Sequence, residues 1–125
     1  MLQKILLIAL AGALGTLARF GLGGLIQRWT SPTFPYGTVV INLLGCFLFG
    51  LIWALALERY ALSSQTRSIL LIGFMGAFTT FSTYIAETGN LLADAQWTAA
   101  AVNGTLQNIG GLACFFLAQA LARWL

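Results

Sequence analysis

The sequence has no histidine and few charges: six Lys or Arg and three Asp or Glu in 125 residues. Charged residues make up 7% of it and apolar residues 59%, whereas a soluble domain carries about 25% charge. So few charges cannot cover a soluble surface, and a chain this short cannot hide so much apolar surface from water. Nor can they build the basic face that binds nucleic acid. The lack of histidine excludes most zinc and haem sites and the Ser-His and Cys-His pairs. Cys46 and Cys114 both lie in apolar runs and read as packing residues rather than as a disulfide or metal pair. The composition is that of an integral membrane protein of one domain.

What is present is long apolar runs. A membrane-spanning helix needs about 20 mainly apolar residues, and the sequence divides into runs at 5–26, 36–57, 68–92 and 97–121. Gln27, Arg28 and Trp29 close the first run, Glu58, Arg59 and Tyr60 the second, and Arg123 and Trp124 the fourth. The connections, 27–35, 58–67 and 93–96, are short. They predict one up-and-down four-helix transmembrane domain over residues 1–125. Trp29, Tyr36, Tyr60, Trp97 and Trp124 stand at run ends, where aromatic belts belong. Lys4 before an apolar stretch with Ala9 and Ala11 imitates a secretory signal, but apolarity continues to Ile26, too long for an h-region. The run reads as a retained helix. An even number of spans puts both termini on one side, with Lys4, Arg59, Arg67 and Arg123; Arg28 and Arg19 belong to the other. The positive-inside rule gives a weak bias toward cytoplasmic termini, and a bias this weak lets a short chain insert either way. A thin bundle encloses little polar space by itself, so a homo-oligomer is expected, with a dimer the simplest symmetric form.

In a membrane the informative residues are polar ones at depth. Asn42 lies six residues into the second run, about 9 Å along a helix, with Thr38 one turn earlier on the same face. Asn42 is either interhelical glue or a donor aimed into a polar pathway. The third run holds Gly73, Gly76, Thr79, Thr80, Ser82 and Thr83 at mid-membrane. Glycine lowers helix propensity, and hydroxyls offer the backbone competing bonds, so a break near 76–80 competes with a continuous helix. Broken backbone survives in lipid only where it is buried or lines a polar cavity, and its freed carbonyls suit a monovalent cation. Phe81 and Tyr84 share a helix face; they pack, or their positive ring edges line an anion's path. Asn103 and Gln107 form one stripe in the fourth run, near Thr105 and Asn108, either a polar track or interhelical bonding. Arg19 is the one basic residue inside a run and reads as an anchor at its mouth, pairing with carbonyls or reaching the surface. Glu87, near the end of the third run, is a solvated charge or a vestibule residue. The first, second and fourth runs carry no deep carboxylate, and no span centre carries a lysine. That inventory suits passive passage better than pumping.

The motifs Gly12-x-x-Gly15-x-x-x-Arg19, Gly37-Thr38-x-x-x-Asn42-x-x-Gly45 and Gly73-Phe74-x-Gly76-x-x-Thr79-Thr80-Phe81-Ser82-Thr83-Tyr84-x-x-Glu87 resemble the Fluc (CrcB) family of bacterial fluoride channels. The resemblance spans nearly the whole chain. It implies an all-α membrane protein whose third of four helices is broken, and an antiparallel, dual-topology homodimer in the inner membrane. It further implies a structural Na+ at the dimer centre, held by the carbonyls of Gly76 and Thr79. The implied fluoride pathway takes in Asn42, Phe81, Tyr84, Ser82, Thr83 and Thr38, with Asn103 and Gln107 as a polar track and Arg19 and Glu87 at the vestibule. The implied activity is passive export of fluoride, with fluoride, a second copy of the chain and the lipid bilayer as partners. Two positions depart from the family. Tyr84 stands where Phe is common, and Asn103 and Gln107 stand where the fourth helix commonly offers Tyr and Ser. Of the rivals, a small multidrug-resistance-type exchanger needs a carboxylate deep in the first helix, and no acidic residue precedes Glu58. An enzyme needs a nucleophile–base pair or metal cluster that these residues do not supply. A non-conducting membrane subunit is compatible with composition alone.

Overall fold

In lipid an isolated segment satisfies its backbone only as a helix, and the apolar runs obey. The computed structural model describes residues 1–57 and 62–124. Among these, four segments are long and apolar enough to cross a membrane: Leu2–Arg28, Tyr36–Ala56, Ser64–Ala93 and Trp97–Ala122. The chain is a multi-pass, all-α membrane protein. Its helices are α1 (Leu2–Arg28), α2 (Tyr36–Leu57), α3 (64–78), α4 (Phe81–Ala93) and α5 (Trp97–Ala122), with α3 and α4 the two halves of the third span. Glu58, Arg59 and Tyr60, read above as the close of the second run, lie outside the described residues. Trp29, Trp97 and Trp124 are exposed at helix ends. The third span starts a turn earlier than its apolar run, because Ser63 caps a polar turn, its Oγ accepting from the Thr66 N–H at 3.1 Å.

Glycines set how closely the helices approach, as small residues do in membranes. A Cβ on Gly15 of α1 would collide with the Phe74 carbonyl of α3, and one on Gly73 would lie 2.9 Å from the Ile8 carbonyl. These contacts advance together along both chains, so α1 and α3 run parallel, as first and third spans must. Gly37 of α2 faces the Gly23 carbonyl of α1, and Gly50 faces the Phe115 carbonyl of α5, each at 2.5 Å from the position of an added Cβ. Ile41, Leu71, Met75 and Phe78 form the buried core, with Ala18, Leu44, Phe49 and Phe74 against it.

The third span is irregular up to Thr80 and regular after it. α3 passes from an α-helical turn (Ser64–Ser68) through a π-helix (Ile69–Met75) to a last α turn (Gly76–Phe78). Thr79 (φ −86°, ψ 158°) and Thr80 (φ −147°, ψ 109°) are extended, and α4 begins at Phe81. The break therefore falls on the two threonines. Gly76 keeps ordinary helical angles, φ −62° and ψ −29°, so its conformational freedom is not what the break uses. The hydroxyls make it instead: Thr79 Oγ1 donates to the Met75 carbonyl at 3.0 Å, and Thr80 Oγ1 caps α4 by accepting from the Thr83 N–H at 3.3 Å. α5 contains a second π segment, Leu106–Gly110.

Candidate functional site

α2 carries Asn42 to the break. Its Oδ1 accepts from the Thr80 N–H at 2.9 Å, while Nδ2 donates to the Thr80 carbonyl at 3.0 Å and to Gln107 Oε1 at 2.7 Å. The extended backbone of Thr80 takes its N–H off the helix ladder, at a cost of several kcal/mol if that donor were left bare. Asn42 Oδ1 satisfies it, and Nδ2 adds a second bond to the Thr80 carbonyl, which as the N-cap of α4 also opens that helix. Two ladder donors go to side chains at the break. The Thr80 N–H, which a continuous helix would give to the Gly76 carbonyl, goes to Asn42; the Thr83 N–H, due to the Thr79 carbonyl, goes to Thr80 Oγ1. Between them, the Ala77 carbonyl accepts from Arg19 Nε at 3.2 Å. Arg19 thus ties α1 to the last turn before the break. Among the described residues no cluster of three His, Cys, Asp or Glu gathers, so a cation at the break would meet carbonyl and hydroxyl oxygens, ligands for a hard ion.

A chain of side-chain bonds leads away from Asn42. Gln107 Nε2 donates to Asn103 Oδ1 at 3.2 Å, Asn103 Nδ2 to Thr88 Oγ1 at 2.9 Å, and Thr88 Oγ1 to the Tyr84 carbonyl at 2.8 Å. Asn103 is 0% exposed, sealed between α5 and α4. Of the two readings open for the Asn103–Gln107 stripe, Asn103 makes interhelical bonds. Asn108 Nδ2 donates to the Tyr84 hydroxyl at 2.9 Å and to the Gly104 carbonyl at 2.8 Å.

Two cavities flank the break. One, of about 560 Å³, is lined by Arg19, Gln27, Thr38, Thr83, Glu87 and Asn90 among others. In it Thr38 Oγ1 donates to Glu87 Oε1 at 2.6 Å, and the other carboxylate oxygen is buried without a partner among the described residues. Thr83 Oγ1 accepts from Thr80 Oγ1 at 2.8 Å, which leaves its own hydroxyl hydrogen for the cavity. The other cavity, of about 610 Å³, is lined by Asn42, Thr79, Phe81, Tyr84, Gln107 and Asn108 among others. Its aromatic pair meets edge to face, Phe81 and Tyr84 with centroids 5.6 Å apart, and Phe81 is 72% exposed. Thr80 lines both cavities and stands as the partition between them. The structure therefore gathers most of the expected residues around one backbone break. Ser82, Gly76 and Asn103 line neither cavity; Ser82 and Gly76 are exposed on the protomer surface. Sequence reasoning missed Thr88 and the tie from Asn108 to Tyr84. Thr88 follows Tyr84 at helical spacing, the one signal that its hydroxyl would bond back to that carbonyl.

A family model described as CrcB-like protein, Camphor Resistance (CrcB), matches residues 6–119. The chain is 55% identical over 117 residues to a protein of Nitrosococcus oceani named fluoride-specific ion channel FluC, a match covering 94% of each chain. A protein of the same name from Solidesulfovibrio magneticus is 53% identical over 123 residues, covering 98% of both. Another, from Geobacter metallireducens, is 44% identical over 121 residues, covering 97% of this chain and 98% of its own. The family model and these end-to-end matches agree, and the chain belongs to the CrcB family.

Proposed function

We propose that this chain is a passive, fluoride-selective channel that exports fluoride across the inner membrane and lowers its toxic concentration in the cell. The observation that carries the reading is the match, 53% identity over 123 residues, to a relative named for fluoride-specific conduction. The geometry supplies a means. Stripping water from a small, strongly hydrated anion demands replacement contacts. Neutral donors at Asn42 and Thr83 and ring edges from Phe81 and Tyr84, all lining the two cavities, would provide them without the deep trap of a fixed cation, and conduction requires release as well as entry. Thr38 with Glu87, and Arg19, serve the mouth. The reaction is movement down a gradient, not catalysis.

The working unit in this reading is an antiparallel homodimer of chains inserted in both orientations. What supports it is the weak charge bias and the exposed Phe81 and Gly76. A structural Na+ fits the residues at the break. The Thr80 and Thr83 N–H groups, ladder donors for the carbonyls of Gly76 and Thr79, go to side chains instead, and these two carbonyls would hold the ion. The ion would supply positive charge that fastens the subunits and favours a nearby anion.

Purified protein in liposomes tests the proposal. Loaded with potassium fluoride, the vesicles should release fluoride when a potassium ionophore alone dissipates the voltage, and should retain chloride under the same conditions. Efflux seen only with a proton gradient would replace the channel with an exchanger.

A further inference from the structure

Asn42 has no amide hydrogen to spare. Nδ2 carries two, and the Thr80 carbonyl and Gln107 Oε1 take both. The orientation is pinned from each end. The Thr80 N–H can only donate, so Asn42 must turn Oδ1 toward it and Nδ2 toward Gln107. At the far end the Tyr84 carbonyl can only accept, so Thr88, Asn103 and Gln107 each donate in that direction. Gln107 therefore presents an acceptor, Oε1, to the very group that a fluoride ion would use. The Thr80 carbonyl belongs to the backbone clamp and is fixed. Gln107 is a flexible side chain, half-buried, lining the cavity shared by Asn42, Phe81 and Tyr84, with its other end held by the longest bond of the series, 3.2 Å.

We infer that Gln107 is a displaceable internal acceptor: a permeating fluoride takes its place on Asn42 Nδ2, and the return of Oε1 releases the ion. The inference rests on the channel reading. Its physical content is competition. An unopposed donor in low dielectric would hold the anion too long, and a rival acceptor of ordinary hydrogen-bond strength lowers the affinity to one compatible with flux. The anion in turn repels Oε1, so the two occupy Asn42 alternately.

The test is the dependence of current on fluoride concentration in planar bilayers, for wild type, Gln107→Met and Gln107→Glu. Gln107→Met keeps length and removes the rival acceptor. The half-saturating fluoride concentration should fall about fivefold, equivalent to about 1 kcal/mol at 1.4 kcal/mol per tenfold, and the saturating current should fall with it. Gln107→Glu offers Asn42 a stronger acceptor and an added negative charge, so half-saturation should rise. A merely structural role moves both variants the same way. Should Gln107→Met fail to assemble, Gln107→Asn, one methylene short of Asn42, should show the same lowered half-saturation. Shifts in one direction, or none, in channels that conduct would overturn the role of Gln107 and leave the channel reading standing. A wild-type protein that passes no fluoride current would overturn both.

Discussion

Asn42 gives both ends of its amide to the backbone of a residue 38 positions away, and the break in the third span depends on that exchange. Asn42→Asp keeps the acceptor for the Thr80 N–H but turns a carboxylate oxygen on the Thr80 carbonyl and on Gln107 Oε1. A charge there repels an anion by about 4 kcal/mol at 4 Å for an effective dielectric near 20. Half of that lowers flux more than tenfold, since about 1.4 kcal/mol is a factor of ten. Phe81→Ile supplies the contrast. Phe81 is 72% exposed on the protomer, so its replacement should leave the protomer's thermal midpoint nearly unmoved while the loss of ring-edge charge lowers flux. Initial fluoride efflux per assembled protein, read beside the melting curve, checks both. Normal flux for Asn42→Asp would remove Asn42 from the pathway, and a fallen midpoint with intact flux for Phe81→Ile would make that ring a packing residue. Asn42 was legible in the sequence because a polar residue at membrane depth is expensive and so conspicuous. The part played by Thr80 was not. Its partner comes from another helix, and nothing in the residue type distinguishes a clamped threonine from one bonded within its own helix.

The helices show the same division. Their number and limits follow from apolar run length, and the hydroxyl-rich third run set an interruption beside a continuous helix as the two readings. The position of the interruption depends on tertiary bonds. Glycine at 76 suggested backbone freedom there, whereas the two threonines depart from the helix and Gly76 remains within it. The π segments at Ile69–Met75 and Leu106–Gly110 had no signal, because a shifted hydrogen-bond register requires no particular residue type. Glycines that space helices are separable from those that do not. Gly50 has the Phe115 carbonyl where a Cβ would go, while Gly24 has nothing within 4 Å. Gly50→Ala should therefore sharply reduce the yield of folded protein. Gly24→Ala should leave it unchanged or add about 0.5–1 kcal/mol, the helix cost of glycine relative to alanine. Detergent melting curves of the two variants measure the difference, and equal loss in both would contradict the packing described for α2 and α5.

For the whole molecule, the exposed side chains of α1, among them Leu6, Leu10, Leu14, Leu17 and Phe20, meet either lipid or a second copy. Those two neighbours make the same demand on a side chain, and for that reason the partner surface cannot be told from the lipid surface in the sequence. The proposed antiparallel dimer makes its own prediction. C-terminal reporter fusions should give signal on both sides of the membrane in similar amounts, and a signal confined to the cytoplasmic side would refute dual topology. The central claim is selective, passive conduction of fluoride, and the reversal potential in a planar bilayer tests it most directly. With a tenfold fluoride gradient balanced by a large impermeant anion, and with chloride and cation symmetric, the current should reverse near the fluoride equilibrium potential, about 59 mV for a monovalent ion. Reversal near zero, or a reversal that tracks an imposed chloride or proton gradient instead, would contradict it.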